Sequence, residues 1–176
     1  GVMRPSFTVE AGRVTDVTID MGEPILECAQ IPVAGEGRCI DRALEVLGRT
    51  VRYTTVLVGV PHTVVFVDDP TAPGLMELGD AIEHAPVFPR RTNVNFVHVQ
   101  DAQNVEMRTW ERGCGPTLAC GTGACSAVVA CVLNGKTARS VNVHIALGRL
   151  HIDWAEDNHV YMTGPAETVF SGEIEV

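Results

Sequence analysis

Most of the chain is written in short runs where apolar and polar residues alternate, the period of a strand with one buried face. Residues 14–20 are β-branched with rough alternation, and 51–58 continue in that style. Residues 63–67 form an apolar run of strand length, while 93–99 and 105–110 alternate strictly. A late set at 141–147, 150–154, 159–162 and 168–176 carries the same signal. Turn chemistry separates these runs, as at Glu156-Asp157-Asn158 and Thr163-Gly164-Pro165. Helical spacing is rarer. It is read over 39–47, over 75–84 and most clearly over 123–133, which stops at Asn134-Gly135. That last helix is apolar or small on every face, so it must be surrounded by protein. The pattern predicts an α+β fold: a mostly antiparallel sheet curled barrel-like around one buried central helix.

Composition narrows the picture. The 176 residues, 45% hydrophobic, suit one domain and a fraction, long enough to bury a core. Lys and Arg number 13 against 22 Asp and Glu, with no basic stripe, which argues against a nucleic-acid partner. No apolar run approaches the roughly 18–20 residues of a membrane span, so no membrane partner is expected. The opening Gly1-Val2-Met3-Arg4-Pro5 lacks the apolar core of a signal peptide. Six cysteines (Cys28, Cys39, Cys114, Cys120, Cys125, Cys131) read as free thiols in a reducing compartment, so the expected location is cytoplasmic. They include no Cys-x-x-Cys pair, the histidines are scattered, and no metal site is expected.

The chemistry concentrates in residues 111–125, Glu111-Arg112-Gly113-Cys114-Gly115-Pro116-Thr117-Leu118-Ala119-Cys120-Gly121-Thr122-Gly123-Ala124-Cys125. Cys120 falls where a strand-like approach ends and the buried helix begins. First-turn N–H groups and the helix dipole are expected to lower a thiol pKa there. Gly121 and Gly123 keep the backbone bare, and the donors around Gly121 and Thr122 suit a carboxylate. The plainer alternative is a tight turn with Cys120 as a small buried hydrophobe. Cys125 and Cys131 read as core thiols, and Cys114 has no assigned task. His62 follows Gly59-Val60-Pro61 between two strand runs, where Pro61 presents the imidazole from a rigid turn. A purely structural histidine stands beside that reading. Glu111 and Arg112 adjoin at a strand end and point to opposite faces. Either both are solvated, or one faces a pocket while the Arg fork meets a carboxylate.

Five segments resemble the diaminopimelate epimerases and cover nearly all of the chain in that family's order. They are Asp20-Met21-Gly22-Glu23-Pro24, Gly59-Val60-Pro61-His62, Thr92-Asn93-Val94-Asn95-Phe96-Val97, the run from Glu111 to Cys125, and Val160-Tyr161-Met162-Thr163-Gly164-Pro165-Ala166. The resemblance implies interconversion of LL- and meso-diaminopimelate by two cysteines, in lysine and peptidoglycan synthesis, with no cofactor and no metal. One thiolate removes the α-proton, and a thiol on the opposite face returns one. Cys120 matches the second-half cysteine. His62 and Glu111 match the polar residues that tune the thiols. Asn93, Glu111, Arg112, Gly121 and Thr122 match substrate-binding positions, the last two through backbone N–H groups. The implied location is the cytoplasm, or the plastid stroma in a plant.

The sequence also departs from the family. Val60 stands where a substrate-binding Asn is usual, so that contact is lost. Pro116 replaces a common Glu, and Ile145-Ala146-Leu147-Gly148-Arg149 replaces a Pro-Gly-Gly turn. Family members have two similar halves facing across a cleft, and the first cysteine lies in the half that this chain does not match. Gly35-Glu36-Gly37-Arg38-Cys39-Ile40 resembles that cysteine's turn only superficially. Residues 1–20 are read as strands shared with a missing amino-terminal half. Residues 21–165 are the carboxy-terminal epimerase domain, and 166–176 a terminal strand crossing back. The expected partners are diaminopimelate and the missing half, with self-association through unpaired terminal strands. The rival readings are a proline racemase-like or phenazine-biosynthesis-like protein, a non-catalytic binding domain and, more distantly, a thiol hydrolase.

Overall fold

The alternating runs fold as strands in the computed structural model, which describes residues 5–175. In chain order the elements are β1 (Ser6–Glu10), β2 (Arg13–Asp20), β3 (Arg42–Val46), β4 (Arg49–Val58) and β5 (Val60–Phe66), then α1 (Leu75–Glu83). They continue with β6 (Asn93–Asp101), β7 (Asn104–Glu111), β8 (Gly115–Thr117), α2 (Gly121–Leu133), β9 (Ser140–Ile145), β10 (Gly148–Trp154) and β11 (Val160–Pro165). One sheet takes them in the order β1-β2-β11-β10-β9-β7-β6-β5-β4-β3, with β8 on β7. Among the described residues only β5–β6 and β7–β9 pair in parallel.

Two cores lie on opposite faces of this sheet. On one face α2 touches β4, β5, β6, β7, β9, β10 and β11. Its residues from Gly123 to Cys131 are all buried, as a helix without a polar face requires. The sheet therefore curls about α2, but it does not close: β1 and β3 remain as edges among the described residues. On the other face α1 buries Leu75, Leu78 and Ile82, a stripe at helical spacing, with Val65, Val94, Phe96 and the loop residues Cys28, Ile31, Val33 and Cys39.

Two expectations change. Residues 39–47 are not a helix; they become a short lead-in and strand β3. Its exposure alternates with period two, and Leu47 and Gly48, both at positive φ, turn it back into β4. Residues 166–175 form no strand and leave Val169, Phe170 and Ile174 exposed; Val176 lies outside the described residues. Residues 6–20 form their own hairpin, with β1 paired to β2 and β2 to β11. The opening residues 1–4 lie outside the described residues.

Candidate active site

The inward rows of three neighbouring strands change character as they reach the start of α2. On β5 the row runs through Val64 to His62, on β6 through Val97 to Asn95, and on β7 through Val105 and Met107 to Thr109 and Glu111. Side chains two apart share a face, so the valines and Met107 pack on α2 and the polar residues gather at its N-terminus. Asn95 stands directly opposite Thr109 in the β6–β7 ladder. Cys120, half-buried and extended in backbone, is the residue from which α2 starts.

These groups form one continuous hydrogen-bonded line. Thr109 Oγ1 donates to Asn95 Oδ1 at 3.0 Å. Asn95 Nδ2 lies 3.0 Å from His62 Nδ1, and His62 Nε2 lies 2.9 Å from Thr122 Oγ1. Thr122 Oγ1 is 3.5 Å from Cys120 Sγ. His62 thus reaches the thiol only through Thr122. It is not presented from a rigid turn: Pro61 and His62 lie inside β5, and the ring is wholly buried. Burial, helped by the Arg112 charge, lowers its pKa to about 3, so the imidazole is neutral near pH 7.

The Cys120 thiol is not lowered as the helix start suggests. Burial pushes it above the ordinary thiol range. The Thr122 hydroxyl and the Gly123 N–H pull it back, and the Glu111 carboxylate beside it pushes it up further. Glu111 itself accepts a hydrogen bond from Thr117 Oγ1 at 2.7 Å. The two glycines have neighbours that explain them. A Cβ on Gly121 would stand 2.8 Å from Met162 Sδ, and one on Gly123 would stand 2.8 Å from Asn95 Oδ1 and 3.2 Å from Cys120 Sγ.

Asn93 is spent on backbone. Its Oδ1 accepts from the Arg112 N–H at 2.9 Å and its Nδ2 donates to the Pro61 carbonyl at 2.9 Å, tying β5 to the turn after β7. Arg112 lies on that turn and donates from Nη1 to the Arg90 carbonyl at 2.9 Å. Glu83 of α1, unnoticed in the sequence, holds the same turn from behind. Only 2% exposed, it accepts from Trp110 Nε1 at 2.7 Å, the Gly113 N–H at 3.2 Å and Arg91 Nη1 at 3.3 Å. Asn95 and Thr109 were likewise missed, though a polar residue at an inward position of a strictly alternating strand is the signal for both.

All six cysteines are free. Burial pushes Cys125 and Cys131 up to about 12, as for core thiols, and Cys114 is exposed. Ligand atoms of Asp80, Glu83 and His84 come within 4.8 Å of one another on α1, but the Glu83 oxygens are already committed as described. Among the described residues no helix is long and apolar enough to cross a membrane.

Solved structures place the fold first. A probable proline racemase from Agrobacterium radiobacter superposes with a TM-score of 0.69 at 14% identity, over all of this chain and 58% of its own. A hydroxyproline epimerase from Agrobacterium vitis does so with a TM-score of 0.63 at 16% identity, over 94% of this chain and 54% of its own. At such identities the likeness shows the fold alone. Sequence is more particular. The family model for diaminopimelate epimerase matches residues 54–169. The diaminopimelate epimerase of Pelotomaculum thermopropionicum is 55% identical over 174 residues, 98% of this chain and 62% of the relative. That of Moorella thermoacetica is 51% identical over 175 residues, 98% of this chain and 63% of the relative. The chain belongs to the diaminopimelate epimerase family, and it spans less than two thirds of the length of these relatives.

Proposed function

We propose that this chain supplies one half of a cofactor-independent epimerase site that interconverts LL- and meso-diaminopimelate. The observation that carries the reading is the placement of Cys120. A half-buried sulfur stands at the start of a buried helix, between the Thr122 hydroxyl and the Glu111 carboxylate. The α-proton of an amino acid is weakly acidic, so the developing carbanion needs fixed charge and a base at contact distance. The first N–H groups of α2, on Gly121 and Thr122, precede its first internal bond (Ala124 N–H to the Cys120 carbonyl), and such first-turn donors suit a carboxylate. Arg112 adds a cation on the same rim, and Asn93 holds that rim in place.

Its raised pKa makes Cys120 rest as a thiol. In the direction where it acts first as acid, a second cysteine, outside this chain, takes the α-proton as thiolate. Cys120 gives its proton to the opposite face of the same carbon. The stereocentre inverts, one thiolate is exchanged for the other, and the reverse reaction runs through the same pair. The rest of the relatives' length is then the natural source of the second thiol and of the wall that keeps water out. The six free thiols fit a reducing compartment such as the cytoplasm.

One observation favours a second reading, a domain that binds a ligand without moving a proton. Val60, partly exposed beside Gly59, offers no side-chain hydrogen bond where the family has Asn. Epimerisation by the full-length protein separates the two. Cys120→Ala is expected to reduce turnover by at least about a thousandfold, in line with losing the reacting group. Turnover that survives the substitution removes Cys120 from its role.

A further inference from the structure

We propose that Asn95, held by Thr109, is a positioning residue that sets the tautomer of His62 and so keeps the Thr122 hydroxyl donating its hydrogen bond to the Cys120 sulfur. The proposal rests on the reading of Cys120 as the reacting thiol.

The argument follows one proton at a time. An amide presents a donor on one side and an acceptor on the other. The Asn95 oxygen faces the Thr109 hydroxyl at 3.0 Å and the bare Cα of Gly123, whose missing Cβ would lie 2.8 Å from it. A hydroxyl proton and a glycine C–H both suit an oxygen, and an NH2 group turned toward Gly123 would set hydrogen against hydrogen. The amide nitrogen therefore faces His62 Nδ1 and donates to it. A neutral imidazole that accepts at Nδ1 carries its proton at Nε2. That N–H donates to Thr122 Oγ1, whose own proton is then free for Cys120 Sγ, 3.5 Å away.

With the other tautomer the line reverses. Nε2 becomes an acceptor, takes the Thr122 proton, and leaves the sulfur without that donor. Burial makes the difference matter. Asn95 and His62 are wholly buried and Thr109 nearly so, and water does not substitute for a lost partner there. Glu111 from β7, the charged neighbour of the thiol, and Arg112, whose charge acts on His62, are the same under either tautomer, so any change reports the line itself. Gly123 gains a second task in this account: any side chain there would displace Asn95.

The test needs no diaminopimelate, so its failure is distinguishable from failure of the epimerase reading. Nitrogen-15 NMR of the full 176-residue chain, labelled at histidine, is expected to show His62 unprotonated at Nδ1 and protonated at Nε2. In Asn95→Asp, which offers no donor, the proton is expected at Nδ1. Alkylation of Cys120 by iodoacetamide, followed peptide by peptide, is expected to fall about tenfold near pH 8 in Asn95→Leu and in Thr122→Val, the size of losing one hydrogen bond to a charged group. The double variant should lose no more than either single one, and Thr122→Ser should restore the rate lost in Thr122→Val. A proton on Nδ1 of the unaltered chain overturns the proposal, as does an unchanged Cys120 rate in Thr122→Val. Both tests stand even where Asn95→Leu does not fold, because neither uses that variant.

Discussion

His62 shows how a single buried side chain couples the site to stability. Its folded pKa is depressed to about 3 from an ordinary 6.5, chiefly by burial. The unfolded chain therefore binds a proton at this position at a pH where the folded chain does not. Stability contributed by the neutral ring is fully present above pH 6.5 and is lost as pH falls toward 3. A falling urea midpoint is expected between pH 6.5 and about 5, before most carboxylates titrate. His62→Gln should flatten that part of the profile, and an equal slope in the variant would assign the effect elsewhere. At this scale the sequence was partly legible. Cys120, His62 and Glu111 carry motifs, and the structure brings all three to the start of α2. Asn95 and Thr109 were legible only as polar residues at inward strand positions, and their roles, like that of Glu83, arise from register and tertiary contact. Asn95 matters because β6 sets it opposite Thr109, and no local pattern encodes that pairing.

At the scale of elements, two glycines fix how the helices meet the sheet. Gly123 lets α2 approach Asn95. On the other face, a Cβ on Gly79 of α1 would lie 2.8 Å from Trp110 Cβ, an atom fixed to the backbone of β7. Gly79→Ala gains helix propensity, yet it forces α1 outward and strains the Glu83 hold on residues 110–113. A net loss of about 1–3 kcal/mol is expected, the usual range for overpacking, and chemical denaturation measures it. A stabilised variant would show that α1 moves freely. The α2 helix was legible because nothing on it is polar enough for water. Residues 39–47 misled because Leu44 and Val46 suit a helix or a strand. The Leu47-Gly48 turn decides for the strand, and Leu is an unusual residue at positive φ. The two parallel pairings stayed hidden, since crossover connections leave no mark on local periodicity.

For the whole molecule the telling feature is what the sheet leaves open. β1 is an edge whose Phe7 and Val9 are exposed, and Val169, Phe170 and Ile174 of the tail after β11 are more exposed still. An unpaired edge beside apolar side chains invites another strand. Sedimentation of the isolated chain is expected to show association that grows with concentration and weakens in a Val9→Lys, Phe170→Lys variant; a strictly monomeric chain at high concentration would count against it. The same openness bears on catalysis, because a stereocentre is inverted only where both faces of the carbon are served. The most direct measurement is conversion of LL- to meso-diaminopimelate, run on the isolated chain and on the full-length protein. The expected result is no conversion by the chain alone and conversion by the full-length protein that disappears with Cys120→Ala. Measurable conversion by the chain alone would contradict the half-site reading.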